Sequence, residues 1–589
     1  MLAAVLAAPP LFVGLGRAPF DDPGEGQHAE IARELLQARD PFALTLDGVA
    51  YVDKPPLLYA LMAGGFAVAG ASEGTARAVP ALAALAAVAG TAWLGARLLG
   101  ARAGFLAGAA LLTSAGFFAF GRYVRPETLF AAALAWGFAL VLTGLADARR
   151  GRVVAGLVAF GVAVLAKDPL GAVGPLVALG AGLALAGRAR PLGRWLPWPG
   201  ALLAVLLGFG WWALAEWRTP GFVWYTVVDN HVLNVVGARR LPDEDVPLSA
   251  LEFLAVAVMG AAPWVLAAGA TIWGLVRRRA WRDESELPWT VLALWIVVIF
   301  GGTALSAFRL PHYGVPAYFA IALLAARGWG EHGGRGLAWA HAVLFAALAL
   351  ACGLLATSEG ARFMQTILGA TDVAARKSAV AGEAAPLPPF TAFRPLCIAT
   401  ALAFGVGALA LVGFAVVSAG RYVRRAAPFI VVVTMFLVLP SVAAGLSLVA
   451  SHRAVRGIAL ELARLAGPDD VVVHEGPIEN SGALEWYSGV RPVIVDGRRS
   501  VLAFGALRAE ARERFWDGEQ LRDAWLGGRR VWVVSVRAPE RSAVARFPGA
   551  RLVTASGGRW LWTNGARALA RAGGVEQVGD RRQLVARGR

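Results

Sequence analysis

The sequence predicts a mainly α, polytopic membrane helical bundle of about thirteen spans, with a small C-terminal α/β domain outside the membrane. Composition is the first observation: 57% hydrophobic residues, 16% charged and a mean hydropathy of +0.58 over 589 residues depart far from a soluble average. The second is a series of apolar runs that each approach the ~20 residues needed to cross hydrocarbon. The third is a change of texture near residue 451, after which short β-rich runs alternate with a helical pattern.

The runs fall near 1–16, 78–98, 103–120, 127–147, 152–166, 169–186, 197–216, 249–276, 289–308, 312–327, 336–356, 395–419 and 427–450. The first holds Pro9 and Pro10 but lacks a basic start and a small-residue cleavage site, so it reads as a span rather than a signal peptide. A polar loop, 17–77, follows it. Within that loop HAEIARELLQA and LLYALMAGGFAVAG read as amphipathic helices at the interface, shaped to line a groove for a lipid chain. A long loop at 217–247, with Trp224 and Tyr225, is placed to cover that groove, and 357–392 is a Pro-containing external loop. Residues 1–450 therefore form the membrane domain and 451–589 the α/β domain. The latter opens with helical HRAVRGIALELARLAG and continues with strands in DDVVVHEG, RPVIVDG, RRVWVVSV and RLVTASG.

Orientation follows from Lys and Arg in short loops, which stay on the cytoplasmic side. With loop 17–77 outside, Arg97 and Arg102, Arg149 to Arg152, Arg188 to Arg194, Arg277 to Arg282 and Arg421 to Arg425 all fall inside. The same alternation puts the tail outside. The net charge of +16 is then a topology signal and an attraction to anionic lipid, and implies no nucleic acid. Cys352 and Cys397 both lie in apolar runs and read as inert core thiols.

Charge beside a membrane is costly to desolvate, so a cluster of it marks a functional site. Asp21, Asp22, Glu25, Asp53 and Lys54 crowd into the first external loop. Outside the cytoplasm there is no nucleotide pool, so sugar or phosphate transfer there must draw on a lipid-linked donor. Lys54, Arg122, Arg125 and Arg309 are the candidate partners of its phosphate. A neighbouring carboxylate can take the proton of an acceptor hydroxyl.

DPGEGQHAEIARELL and AYVDKPPLLYAL, then SEGTARAVPALAALAAVAGTAWLGARLLG, FGRYVRPETLF, WYTVVDNHVLNVVG and SAFRLPHYGVPAYFAIALLAA, occur in one order over residues 18–330. Together they resemble glycosyltransferase family 39, the lipid A aminoarabinose transferases and dolichyl-phosphate-mannose protein mannosyltransferases of the GT-C fold. The resemblance implies a membrane enzyme moving a pentose or hexose from a polyprenyl phosphate to lipid A, another glycan, a lipid or a protein, with inversion. It implies the bacterial inner membrane, with the tail periplasmic. Tyr51, Asp53 and Lys54 match the motif whose lysine lies at the donor phosphate. Glu127 matches an essential acid, Arg125 precedes it, and Arg309, His312 and Tyr313 match a further donor-side segment. Asn230 and His231 match a position that meets Asp53, which makes Asp53 and His231 a candidate divalent-metal pair; no other cofactor is implied.

The chain departs from the family at Gly24, which stands where the family has its catalytic aspartate, leaving Asp22 or Glu25 to supply the base. Gln27 and His28 replace an Arg and a Tyr of the aminoarabinose transferases. Lys167 and Asp168, at an external turn, read as a local ion pair, with a donor contact as the alternative. Two other classes of function stay open at this point: a transporter or flippase of lipid-linked sugars, and a non-catalytic membrane scaffold displaying its α/β tail.

Overall fold

The computed structural model describes residues 2–565 apart from 39, 41, 243, 359, 381–385 and 418–419, so the end of the expected tail, 566–589, lies outside the described residues. The chain is mostly helical, and its helices form a bundle capped at one end by the C-terminal domain. Seven helices among the described residues are long and apolar enough to cross a membrane, not the thirteen expected. An eighth crossing arises if Ala250–Gly260 and Val265–Arg277, bent by 107° at their junction, form one span. Prolines, glycines and short turns account for much of the difference. The run at 103–120 is split at Thr113 and Ser114 into Ala101–Leu112 and Ala115–Phe120. The run at 312–327 begins as a tight turn, Pro311–Ala317, and only then becomes the helix Tyr318–Glu331.

The first external loop is built as the sequence suggests, from helices Gly26–Gln37 and Leu57–Ala69. Between them lies a hairpin of strands β1 (Thr45–Leu46) and β2 (Val49–Ala50). Its turn residues, Asp47 and Gly48, both adopt positive φ (51° and 72°), the backbone a two-residue hairpin turn demands and an Asp-Gly pair tolerates. This hairpin delivers Tyr51, Asp53 and Lys54 to the end of the bundle.

The C-terminal domain follows helix Arg456–Leu465 with strands β3 (Val471–Glu475), β4 (Val493–Val495), β5 (Phe515–Trp516), β6 (Val531–Ser535), β7 (Arg551–Ser556) and β8 (Arg559–Thr563). They form one sheet in the order β5-β4-β3-β6-β8-β7, parallel through β6 and antiparallel beyond it. Strand order reverses at β3, and in open α/β sheets the crevice at such a point is where ligands sit. Loops leaving the carboxyl ends of these strands press on the first external loop, with Gly482 on the Gln27 backbone and Gly505 on the Ala50 carbonyl, and on the 217–247 loop, where Phe504 stacks on Tyr225 at 5.1 Å.

Buried charges hold this junction. Both Asp21 oxygens accept from Arg453, which also reaches Asp372 at 2.7 Å. Asp22, fully buried, accepts from the backbone amides of Val455 and Ala483, each at 3.2 Å. Burial pushes its carboxyl up to about 7, against the pull of Arg559 and the two amides. Glu30 is likewise pushed up to about 7 by burial, although Arg33 opposes it. A carboxyl whose folded-state value lies above its unfolded one contributes most when protonated, so this stability is lost as the pH rises through 7. The expected result is a melting temperature that falls from about pH 4 to about pH 7 and levels off above it, with the slope flattened in Asp22→Asn and again in Glu30→Gln. An unchanged slope in both would show that neither carboxyl carries it.

Candidate active site

Two sets of charged side chains meet at the end of the bundle beneath the cap. In the first, Lys54 Nζ contacts Asp53 Oδ2 at 2.5 Å, Asn230 donates to Asp53 Oδ1 at 2.9 Å, and Arg239 donates to Asn230 Oδ1 at 2.6 Å. Asp229, fully buried, accepts from the backbone amide of Arg240 at 2.6 Å and so fixes the turn that carries Arg239. Burial alone would raise the Asp53 carboxyl, but Lys54, Arg239 and His231 outweigh it and hold it below the usual range. Asn230 lies on Trp224–Leu233, a wide-turned π-helical stretch of the kind that often marks functional positions.

The second set surrounds Glu127. This residue opens the helix Glu127–Ala146, where the positive end of the helix dipole favours a carboxylate. Its Oε1 lies 3.6 Å from Lys167 Nζ and 3.5 Å from His312 Nε2, and its buried Oε2 has no hydrogen-bond partner. Arg125 donates to His312 Nδ1 at 3.1 Å. Lys167 sits over the Tyr313 ring at 5.2 Å. Burial, with Arg125, Lys167 and Lys54 adding to it, holds His312 well below its ordinary value, so this ring is neutral at pH 7.

His28 joins the two sets. It is 3% exposed, its Nδ1 bonds the Tyr59 hydroxyl at 2.9 Å, and Tyr59 donates to Tyr51 at 3.3 Å. Burial first, and then the cations Arg125 and Lys54, push the imidazole down to about 3, while Asp53 pulls the other way.

The structure thus assembles Lys54, Asp53, Tyr51, Asn230, Arg125, Glu127, His312 and Tyr313 from segments the sequence singled out. Lys167 reaches Glu127 rather than Asp168, whose carboxylate instead caps the Leu170 amide at 2.9 Å. Four expected residues sit elsewhere. Arg122 donates to the carbonyls of Pro10, Leu11 and Val13, where a cation meets the negative end of the first helix rather than a phosphate. Arg309 is bound to the Leu248 and Ser306 carbonyls and braces a loop. Asp22 and Glu25 are not open to substrate. Asp22 is sealed in the junction described above. Glu25 receives Arg77 at 2.5 and 2.9 Å and the amides of Asp21 and Val124, both at 3.0 Å.

Gly24 has a steric reason. A Cβ there would lie 1.8 Å from the Tyr123 hydroxyl, which donates to Asp21 at 2.6 Å, so an aspartate cannot enter without displacing that ring.

Asp53 and His231, the expected metal pair, are both engaged with protein groups. Lys54 and Asn230 take the Asp53 oxygens, and His231 Nδ1 sits 2.5 Å from the Thr226 carbonyl oxygen. Among the described residues the one coordination-sized group is Glu30, Glu34 and Glu485, which pairs with Arg33 and Arg491. Sequence reasoning missed Arg239, Tyr59, Tyr123, Arg453 and Arg559. The last two belong to the tail, whose texture gave no hint that it reaches the acids of the first loop. Cys352 and Cys397 are free thiols and half-buried rather than in the core.

A bundle of membrane-spanning helices that presents such a site under an α/β cap defines the class: this is a multi-span membrane protein of the GT-C fold. A family model described as dolichyl-phosphate-mannose-protein mannosyltransferase matches residues 53–212, a stretch that starts at Asp53 and includes Lys54, Arg125, Glu127 and Lys167. A crystal structure of ArnT from Cupriavidus metallidurans bound to undecaprenyl phosphate superimposes with a TM-score of 0.78, covering 96% of this chain and 98% of that one at 22% identity. The apo state of the same protein gives a TM-score of 0.77 over 96% and 97% at 23% identity. The GT-C fold implied by the sequence motifs is therefore borne out along nearly the whole chain.

Proposed function

We propose that the protein is a membrane glycosyltransferase that moves a pentose or hexose from a polyprenyl phosphate, such as undecaprenyl phosphate, to an acceptor outside the cytoplasm. The observation that carries this reading is the convergence of Lys54, Arg125 and Lys167 on one site at the capped end of the bundle. Three cations are more than Asp53 and Glu127 neutralise, and an anionic phosphate is the natural complement of such a surplus. The likeness to ArnT, which was crystallised with undecaprenyl phosphate, and the mannosyltransferase family model support the same donor chemistry.

In this reading Lys54 and Arg125 hold the phosphate, and Lys54 stabilises the charge that grows on it as the sugar leaves. Asp53, Asn230 and Arg239 fix the position of Lys54. Glu127, held by Lys167 and His312, faces the sugar. Attack opposite the departing phosphate inverts the anomeric carbon. The C-terminal domain, periplasmic in a bacterial inner membrane, closes the site and contributes to recognition of a lipid A, glycan or protein acceptor.

The test is to incubate purified protein with lipids from a strain lacking it and to follow polyprenyl-phosphate sugars by mass spectrometry. Consumption of one sugar lipid with an equal mass gain on an acceptor is the expected result. Movement of an intact sugar lipid across a vesicle bilayer with no consumption would replace this reading by transport.

A further inference from the structure

The proposed transfer needs a group to take the acceptor's proton; Glu127 is given to the sugar in the reading above, and the acids of the first external loop are engaged elsewhere. Asp21 is paired to Arg453 and Tyr123, Asp22 is sealed in the domain junction, and Glu25 is saturated by Arg77 and two amides. Gly24 cannot be replaced by an acid while Tyr123 keeps its place. Asp53 is bound to Lys54 and Asn230.

We infer that His28 is the general base of this site, its Nε2 taking the proton of the acceptor hydroxyl. The geometry orients it for that role. A hydroxyl has one proton, and Tyr59 gives its proton to Tyr51. Tyr59 therefore receives the Nδ1 hydrogen of His28, at 2.9 Å, and the Nε2 lone pair is left free. Among the described residues Nε2 has no hydrogen-bond partner, and it is not one of the buried polar atoms sealed from solvent. This is the arrangement by which a fixed partner on one ring nitrogen prepares the other as a base.

The neighbours explain why such a base is not protonated in advance. Burial first, and then Arg125 and Lys54 facing the ring with His312 beyond them, keep the resting imidazole neutral, with Asp53 opposing. A donor phosphate on Lys54 and Arg125 offsets the part of that effect that comes from the two cations. The step then balances. The acceptor O–H breaks and its proton goes to Nε2. The acceptor oxygen bonds the anomeric carbon, and the sugar–phosphate bond breaks with its electron pair passing to the polyprenyl phosphate.

The inference rests on the transferase reading, and one experiment separates the two. Turnover and polyprenyl-phosphate binding are measured for wild type, His28→Gln, His28→Ala and Tyr59→Phe. Turnover by wild type, with kcat about a hundredfold or more lower in both His28 variants and phosphate binding intact, is the expected result. Added imidazole should restore part of the His28→Ala rate, and Tyr59→Phe should lose roughly tenfold. Wild type without turnover would overturn the transferase reading itself. Active wild type with His28→Gln within threefold of it, or an imidazole-insensitive His28→Ala that has also lost phosphate binding, would overturn His28 as the base.

Discussion

Lys54→Ala is expected to lower transfer by roughly 10²–10³ in kcat, the usual effect of removing one preorganised group that meets developing charge. The lysine is placed rather than merely present. Pro55 and Pro56 stiffen the chain after it, Asp53 holds its ammonium at 2.5 Å, and Asn230 and Arg239 hold Asp53. Loss of the cation should also weaken binding of the polyprenyl phosphate, so KM for the donor should rise as kcat falls. Lys54→Arg should recover only part of the rate, because a planar guanidinium does not reproduce a compact point charge against Asp53. The measurement is steady-state consumption of the sugar lipid in detergent or nanodiscs. A Lys54→Ala enzyme within fivefold of wild type would remove Lys54 from the phosphate site.

The second large effect concerns folding. Arg77→Ala should destabilise the protein by about 3–5 kcal/mol, the range observed when one partner of a buried pair is removed. Arg77 is 5% exposed and fills every direction of its guanidinium: Glu25 on two nitrogens, and the carbonyls of Leu15, Ala18 and Pro19 at 2.7, 2.8 and 2.7 Å. Removing it leaves the Glu25 charge buried among groups arranged to receive it, and releases the chain that leads from the first helix to the acid-rich loop. Glu25→Gln should also destabilise, because both carboxylate oxygens accept from N–H donors, the amide NH2 cannot, and Arg77 loses its buried counter-charge. Thermal unfolding in detergent, with the yield of monodisperse protein, reports both. Equal stability of Arg77→Ala and wild type would show that the pair is not structural.

Much of the site could be read along the chain. Lys54 and Glu127 were legible because AYVDKPPLLYAL and FGRYVRPETLF resemble family segments that carry a phosphate-side lysine and an essential acid, with Pro55 and Pro56 pointing to a fixed loop. The interfacial helices of the first loop and four of the sheet strands were legible from their periodicity. Partners were not. Asp22 and Glu25 looked like candidate bases because a local reading counts carboxylates without knowing what neutralises them. Arg122 and Arg309 looked like phosphate ligands for the same reason, yet each lies on backbone carbonyls. His28 was visible only as a departure from a motif, and its meaning came from Tyr59, 31 positions away. The described helices long and apolar enough to span number seven against thirteen expected runs, because hydropathy averages over Pro-containing turns such as that at Pro311–Ala317 and several apolar helices are shorter than a span.

By itself, then, the sequence determined the solvent of this protein, the segments that meet at its site and the class of its fold. Hydropathy, helix signals and turn residues act over a few neighbouring positions and need no partner to be recognised. Tertiary structure alone decided which charges are spent on holding the chain together and which are left for chemistry. That choice depends on pairs such as Asp21 with Arg453, 432 positions apart, and a buried charge has a role only once its counterion is known.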